Sequence, residues 1–316
     1  MGLAERVIGD PVPARPVPVP VRVLRRLVRA SVALLVVLVA TFGWLFLGGH
    51  PADLVVGPDL PTSERWRVIA ALGLDAAPPG QFWHFLGAVA HALRGDTFSS
   101  AAPALGPALI ALRATAGLVW PAAAFAVLAG VPLGLGAGLA TGHPGGRLVD
   151  AVTRIGASIP LFWVAALALT VATGLPAGAS AETLPTLCLA FVGVVAVTRR
   201  VGESTRVDAN QGYVRMARAR GVPWSRLALR HALPNVLAAA PGARIATDVA
   251  NLLVLSTVVE SVFGRPGIGL LLIEALVASD RPVVLACLLL LAMSLIALRL
   301  GFDLVAIAVS ARRAPP

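Results

Sequence analysis

The chain has 316 residues, 57% of them hydrophobic and 13% charged. Soluble domains carry about 25% charged residues, so this composition excludes an ordinary water-soluble domain and predicts a helical protein that crosses a membrane several times. All 26 basic residues, set against 16 acidic ones for a net charge of +10, are arginine, which excludes a Walker A phosphate loop and Schiff-base chemistry, since both need a lysine.

Residues 1–29 form a Pro- and Arg-rich tail. Its first 21 residues read as extended chain, and Arg22, Arg25, Arg26 and Arg29 then lead into an apolar run over 30–47. That run is long and lacks a small-residue cleavage site, which predicts an uncleaved first span with its N-terminus inside. Residues 50–106 mix Asp53, Glu64, Arg65, Arg67, Asp75, Arg94 and Asp96 with Pro and Gly. They read as an external subdomain of short helices, so that 30–106 comprises the first span and this subdomain.

A larger transmembrane domain over 107–305 follows. Its first tract, 109–140, exceeds the roughly 20 residues that one crossing needs, and Pro121 and Pro132 predict a kink or a tilt. A short polar loop is expected at 141–154, a third span at 155–172, a Gly/Pro/Ser turn at 174–182 and a fourth span at 183–201. A basic loop over 202–242 precedes a fifth span at 243–263. A Gly- and Pro-rich outer hairpin at 264–281 and a sixth span at 282–305 come next, and a short tail over 306–316 carries Arg312 and Arg313. On this layout nineteen arginines lie on the inner side and six on the outer. That asymmetry is the positive-inside pattern, with both termini in the cytoplasm. It also explains the net charge without any nucleic-acid partner. The predicted fold class is an all-α membrane protein of six transmembrane helices, with an external helical subdomain after the first span and a cytoplasmic basic loop between spans four and five.

The basic loop reads GYVRMARARGVPWSRLALRHALPN over 212–235 and carries Arg215, Arg218, Arg220, Arg226 and Arg230. It divides into two helical pieces. The first, 210–220, ends at Gly221, which turns a chain without steric cost. Pro223 suits the first turn of the second piece, and Pro234 is expected to interrupt it. By i, i+3, i+4 spacing, Tyr213, Met216, Ala217 and Arg220 share one face of the first piece, with Arg215 and Arg218 on another. A short helix with a small apolar face and a basic face suits insertion into a protein groove; the plainer reading is a solvated loop that only sets topology.

At these residues the chain resembles the permeases of ABC transporters. Ala217, Gly221 and Leu233-Pro234 match the spacing of the loop that docks into the ATPase subunit. YVRMARARG…RHALPN is similar to the form found in the dipeptide/oligopeptide/nickel importer family. Three further stretches resemble that family in order: LGLDAAPPGQFWHFLGAVAHALRGD at 72–96, ASIPLFWVAALAL at 157–169 and VVESVFGRPGIGLLLIEALVASDRPVV at 258–284. The resemblance implies a six-helix permease of the bacterial inner membrane that forms half of a pathway for di- or oligopeptides, with nickel or another small solute as the alternative cargo. It implies a second homologous permease, two ATP-binding subunits and an extracytoplasmic binding protein as partners. ATP and magnesium would then sit on the partner subunits, leaving no cofactor and no catalytic residue in this chain. By matching position, Tyr213, Arg215, Ala217, Arg218, Arg220 and Gly221 would form or border the coupling helix. Several residues depart from the family pattern. Arg215 and Met216 stand where the generic loop has a glutamate and an alanine, and Gly212 where an acid is common. Val254-Leu255 replaces a Gly-Gly pair, Asp248 replaces a glutamine, and the usual Asp-Pro-Arg near the tail is absent.

Asp248, Asn251, Ser256 and Glu260 lie in or near the fifth span. At about 100° per residue they occupy one half of a helix. An acid facing lipid at the bilayer centre costs at least about 2.5 kcal/mol, so this half should face the bundle interior. There it either lines a pathway between two permeases or bonds helix to helix.

His50, His84 and His91 are expected outside. His84 and His91 share a face, but no carboxylate or cysteine completes a metal set there. Trp66 and Trp83 read as interface anchors or core, and Cys188 and Cys287 as small apolar packing residues. An intramembrane enzyme is disfavoured, because the spans hold neither HExxH nor GxSxG. A secondary transporter working without ATPase partners is the remaining alternative.

Overall fold

The computed structural model describes residues 18–47, 75–93, 104–140, 142–172, 183–236 and 239–311, together with the single residues 63, 66, 69 and 70. Every described element is helical. Among the described residues five helices are long and apolar enough to cross a bilayer: α1 (Val19–Leu47), α3 (Leu105–Leu139), α6 (Thr183–Ala209), α10 (Ala239–Phe263) and α12 (Arg281–Ala311). A bent pair, α4 (Pro144–Ser158) and α5 (Leu161–Ala172), makes a sixth span if counted as one. Helix α2 (Pro78–Leu93) precedes α3, and α11 (Ile268–Val277) lies between α10 and α12. Most of the predicted external subdomain lies outside the described residues. Within its described part, Trp83, Trp66, His84 and His91 are exposed.

The helices differ from the predicted layout in three places. Helix α1 starts at Val19, so the arginine cluster assigned to the tail rides on the first turns of the helix. Arg26 there donates to Asp303 of α12 at 2.8 Å. The expected polar loop at 141–154 is largely helix α4. The predicted span at 155–172 is therefore broken near its start, because Ile159 is extended ahead of Pro160 and the chain turns by 92°. A residue before proline is driven out of helical geometry by the proline ring. Finally, α6 continues to Ala209, so the start of the basic loop is a projection of the fourth span.

Among the described residues the most extensive helix contact is α3 with α6. Its seam is a stripe of glycines, Gly130, Gly134 and Gly138, set against Val197, Val201 and Thr205. A Cβ on Gly134 would lie 2.6 Å from the Val201 Cβ, a distance no packed side chain tolerates. Small residues four apart let helix backbones approach in a membrane, where lipid removes the hydrophobic drive to associate. Pro121 and Pro132 both lie within α3 and do not end it.

Two buried clusters complete the packing. The larger joins Leu118, Ala122, Leu189, Val197, Val249 and Leu252 of α3, α6 and α10 to Val214, Leu227 and Val236 of the basic loop. The smaller gathers Val89, Leu105, Ile268 and Leu289 of α2, α3, α11 and α12. Cys287 lies in the second cluster, and both cysteines are buried and free.

Candidate functional site

The basic loop folds as α7 (Gly212–Ala219), α8 (Trp224–Leu227), a π turn over Ala228–Ala232 and α9 (Leu233–Val236). Helix α7 stops where expected. Gly221 has φ +72°, and the Val222 N–H reaches back to the Ala217 carbonyl at 3.2 Å while the Arg220 N–H bonds Met216. This six-to-one closure around a left-handed residue ends helices where glycine is available. Pro234 does not interrupt the second piece as predicted. The chain widens into a π turn just before it, with the Leu233 N–H bonding the Ala228 carbonyl. A wider turn relieves the clash between a proline ring and the carbonyl four residues earlier.

The face of α7 also differs from the predicted one. Val214 is buried and Ala217 half-buried against the larger core, whereas Met216 and Arg220 are exposed. Met216 and Ala217 therefore look in different directions. The branched Val214 is the residue that packs inward and sets the rotation of the helix. Tyr213, Arg215 and Arg218 lie on the same helix, but their side chains fall outside those described. In the second piece Leu227, Ala228, Ala232 and Val236 are buried, while Arg226, Leu229 and Arg230 are exposed. The whole segment thus has one face seated in the span core and another bare and basic.

Of the four polar residues of the fifth span, Ser256 and Glu260, one turn apart, interact with each other, while Asp248 and Asn251 each bond a different helix. Asp248 accepts two hydrogen bonds from Arg200 of α6, at 3.0 and 3.2 Å. Asn251 accepts one from Arg299 of α12 at 2.9 Å. Ser256 is fully buried and its hydroxyl donates to the Leu253 carbonyl within its own helix. Glu260 is also fully buried and faces the start of α11. There its Oε2 accepts the Gly269 N–H at 2.7 Å, beside the Ile268 N–H donated to Thr115 of α3. A carboxylate aimed at the free N–H groups of a helix start is favoured by the helix dipole. A Cβ on Gly267 would overlap that carboxylate, so the GRPGIG stretch reads as packing around Glu260. Helix α10 bonds through these residues to α6, α12, α11 and itself. Ser256 and Glu260 are buried, and Asp248 and Asn251 are half-buried.

Sequence reasoning passed over three features. Arg200 and Arg206 counted only as inner-loop charges, yet Arg206 pairs with Asp150 of α4. The glycine stripe was legible as Gly residues four apart. The cap on α11 was not legible, because Glu260 and Gly269 belong to different elements.

Comparison with known proteins agrees with this architecture. Residues 130–314 match the family described as Binding-protein-dependent transport system inner membrane component. Residues 21–120 match its N-terminal companion, Binding-prot-dependent transport system membrane comp, N-term. The chain is 31% identical over 297 residues to the glutathione transport system permease protein GsiC of Pectobacterium atrosepticum, covering 91% of this chain and 96% of that protein. It is 31% identical to the protein of the same name from Salmonella typhimurium, covering 91% and 97%. With the Escherichia coli K12 protein of that name it shares 30%, again covering 91% and 97%. Family matches over most of the chain, relatives matched nearly end to end and a bundle of apolar helices converge: the chain belongs to the binding-protein-dependent transport inner membrane components and is a multi-pass permease subunit of an ABC importer in the bacterial inner membrane.

Proposed function

We propose that this permease forms half of a pathway for di- or oligopeptides, in an assembly with a second homologous permease, two ATP-binding subunits and an extracytoplasmic binding protein. Both termini lie in the cytoplasm, and ATP and magnesium sit on the partner subunits. Peptide-class cargo is supported by the relatives, whose name refers to glutathione, a tripeptide.

The observation that carries the coupling role is the two-sided build of the basic segment. Val214, Leu227, Ala228, Ala232 and Val236 are embedded in the same cluster as α3, α6 and α10. Met216, Arg220, Arg226 and Arg230 are left bare. A motor subunit that grips the bare face moves the spans with it, because packed apolar contacts are stiff. Tyr213, Arg215, Ala217, Arg218 and Gly221 border that face by position. Asp248 and Asn251 remain the pathway candidates, with Ser256 and Glu260 supporting the helix that carries them.

The experiment is charge reversal of Arg220, Arg226 and Arg230 in the reconstituted importer, with glutathione and a dipeptide as cargo. Expected is a loss of uptake of at least tenfold and loss of cargo-stimulated ATP hydrolysis, with permease insertion unchanged. Uptake equal to the unmodified importer would overturn the coupling assignment.

A further inference from the structure

Helix α4 has three distinct faces. Gly146, Thr153 and Gly156 are buried against the protein, and a Cβ on Gly156 would lie 3.0 Å from the Val195 side chain of α6. Asp150 on the same side is tied to Arg206. A second face is apolar and uncovered: Leu148, Val152 and Ile155 are 65%, 57% and 64% exposed, and Ile159 at the helix end continues the line. Their spacing of four, three and four residues puts them in one stripe. Arg147 and Arg154, seven residues apart, form a third face about 120° from the stripe, along the Asp150 edge of the helix. Both are exposed, and neither has an acidic partner among the described residues.

The direction of the helix says what covers that stripe. Helix α4 meets α5 at 92°, so if α5 runs along the membrane normal, α4 lies in the membrane plane. Helix α5 continues the uncovered surface through exposed Phe162, Trp163 and Leu167, with Ala165 its only fully buried residue. Phe162 and Trp163 stand side by side at the bend, and aromatic residues favour the level of the lipid headgroups. A helix with a strong apolar stripe, a basic flank and low overall hydrophobicity is the type that lies in a membrane interface.

We propose that α4 is an in-plane membrane helix, whose Leu148, Val152, Ile155 and Ile159 enter the acyl boundary while Arg147 and Arg154 bind the phosphates of anionic phospholipids. It is independent of the cargo assignment. Through Asp150 and Arg206 this lipid-held helix is fastened to the end of α6, which leads directly into α7. The bilayer thereby supplies a fixed reference against which the coupling segment moves.

Two measurements on the full importer in lipid nanodiscs test this. A polarity-sensitive label at V152C, with Cys188 and Cys287 replaced by alanine, should be quenched by lipids brominated in the acyl chain and shielded from aqueous iodide. The same label at R154C should respond to iodide. Shielding of V152C from both quenchers would mean a protein, such as the second permease, covers the stripe, and iodide access would mean water does; either overturns the proposal. In the second arm, ATP hydrolysis by the unmodified importer should be at least threefold higher with anionic lipid than with phosphatidylcholine alone. An R147Q/R154Q variant should lose that difference while assembling normally. Equal lipid dependence in both proteins would overturn the headgroup contact. The label measurement needs no cargo or transport, so it fails or succeeds apart from the importer's substrate.

Discussion

Arg200 holds Asp248 with two parallel hydrogen bonds, Nε to Oδ2 at 3.0 Å and Nη2 to Oδ1 at 3.2 Å, and so fastens α6 to α10. Paired forks of this kind fix geometry as well as charge. The bond joins the helix that enters the basic segment to the helix that leaves it.

Removing one member of that pair should therefore hurt more than removing both. Asp248→Ala leaves a guanidinium without its carboxylate and is expected to cost about 1–3 kcal/mol of stability. The double variant R200M/D248L should recover most of that loss. Thermal unfolding of the detergent-purified importer measures both. If uptake stays absent in the double variant although its stability returns, Asp248 has a pathway role beyond fastening.

At the start of α11 the order of two substitutions is informative. Glu260→Gln keeps an oxygen for the Gly269 N–H but loses the charge that suits a helix start. Glu260→Ala loses both and leaves buried donors unpaired, at about 1–3 kcal/mol. Unfolding midpoints should fall in the order wild type, glutamine, alanine. Equal midpoints for the two variants would mean the carboxylate charge alone matters.

The seam between α3 and α6 tolerates no added volume. Gly134→Ala places its methyl against Val201 and the Thr198 carbonyl, and overpacking of this sort costs about 1–3 kcal/mol. Gly134→Leu should prevent assembly. Combining Gly134→Ala with Val201→Ala should not restore yield in size-exclusion profiles, because the new methyl still meets the Cβ of residue 201 and the Thr198 carbonyl; full recovery would show that the two helices are packed less closely than this.

Gly221 tests backbone rather than packing, because open space surrounds the site where a Cβ would sit. Its left-handed conformation costs other residues roughly 1–2 kcal/mol, with asparagine the least affected. Cargo-stimulated ATP hydrolysis should fall in the order glycine, asparagine, alanine, valine. A valine variant as active as glycine would show that the α7–α8 angle is irrelevant to coupling.

Arg206 and Asp150 join α6 to α4. Asp150→Arg should lower coupled ATP hydrolysis several-fold, and the exchange D150R/R206D should restore much of it. Two single losses that simply add in the double variant would argue against a direct pair.

What could be read without coordinates was local or additive. Runs of apolar residues located the long spans, since crossing a bilayer requires length and composition only. The stop of α7 at Gly221 followed from backbone sterics of a single residue, and the family resemblance rested on contiguous stretches. Helix α4 is harder to see in the sequence. Its stripe of Leu148, Val152 and Ile155 is diluted by polar neighbours, so an average over the segment resembles a loop while its periodicity is that of a helix. The tertiary structure alone decided the partners. Arg200 and Asp248 are separated by 48 residues, and nothing in either segment reveals which faces the other. Likewise Val214 rather than Met216 packs inward, because the rotation of a short helix is set by the cavity it fills. Composition and periodicity specify which surfaces must be buried; only the docking of one helix on another specifies against what.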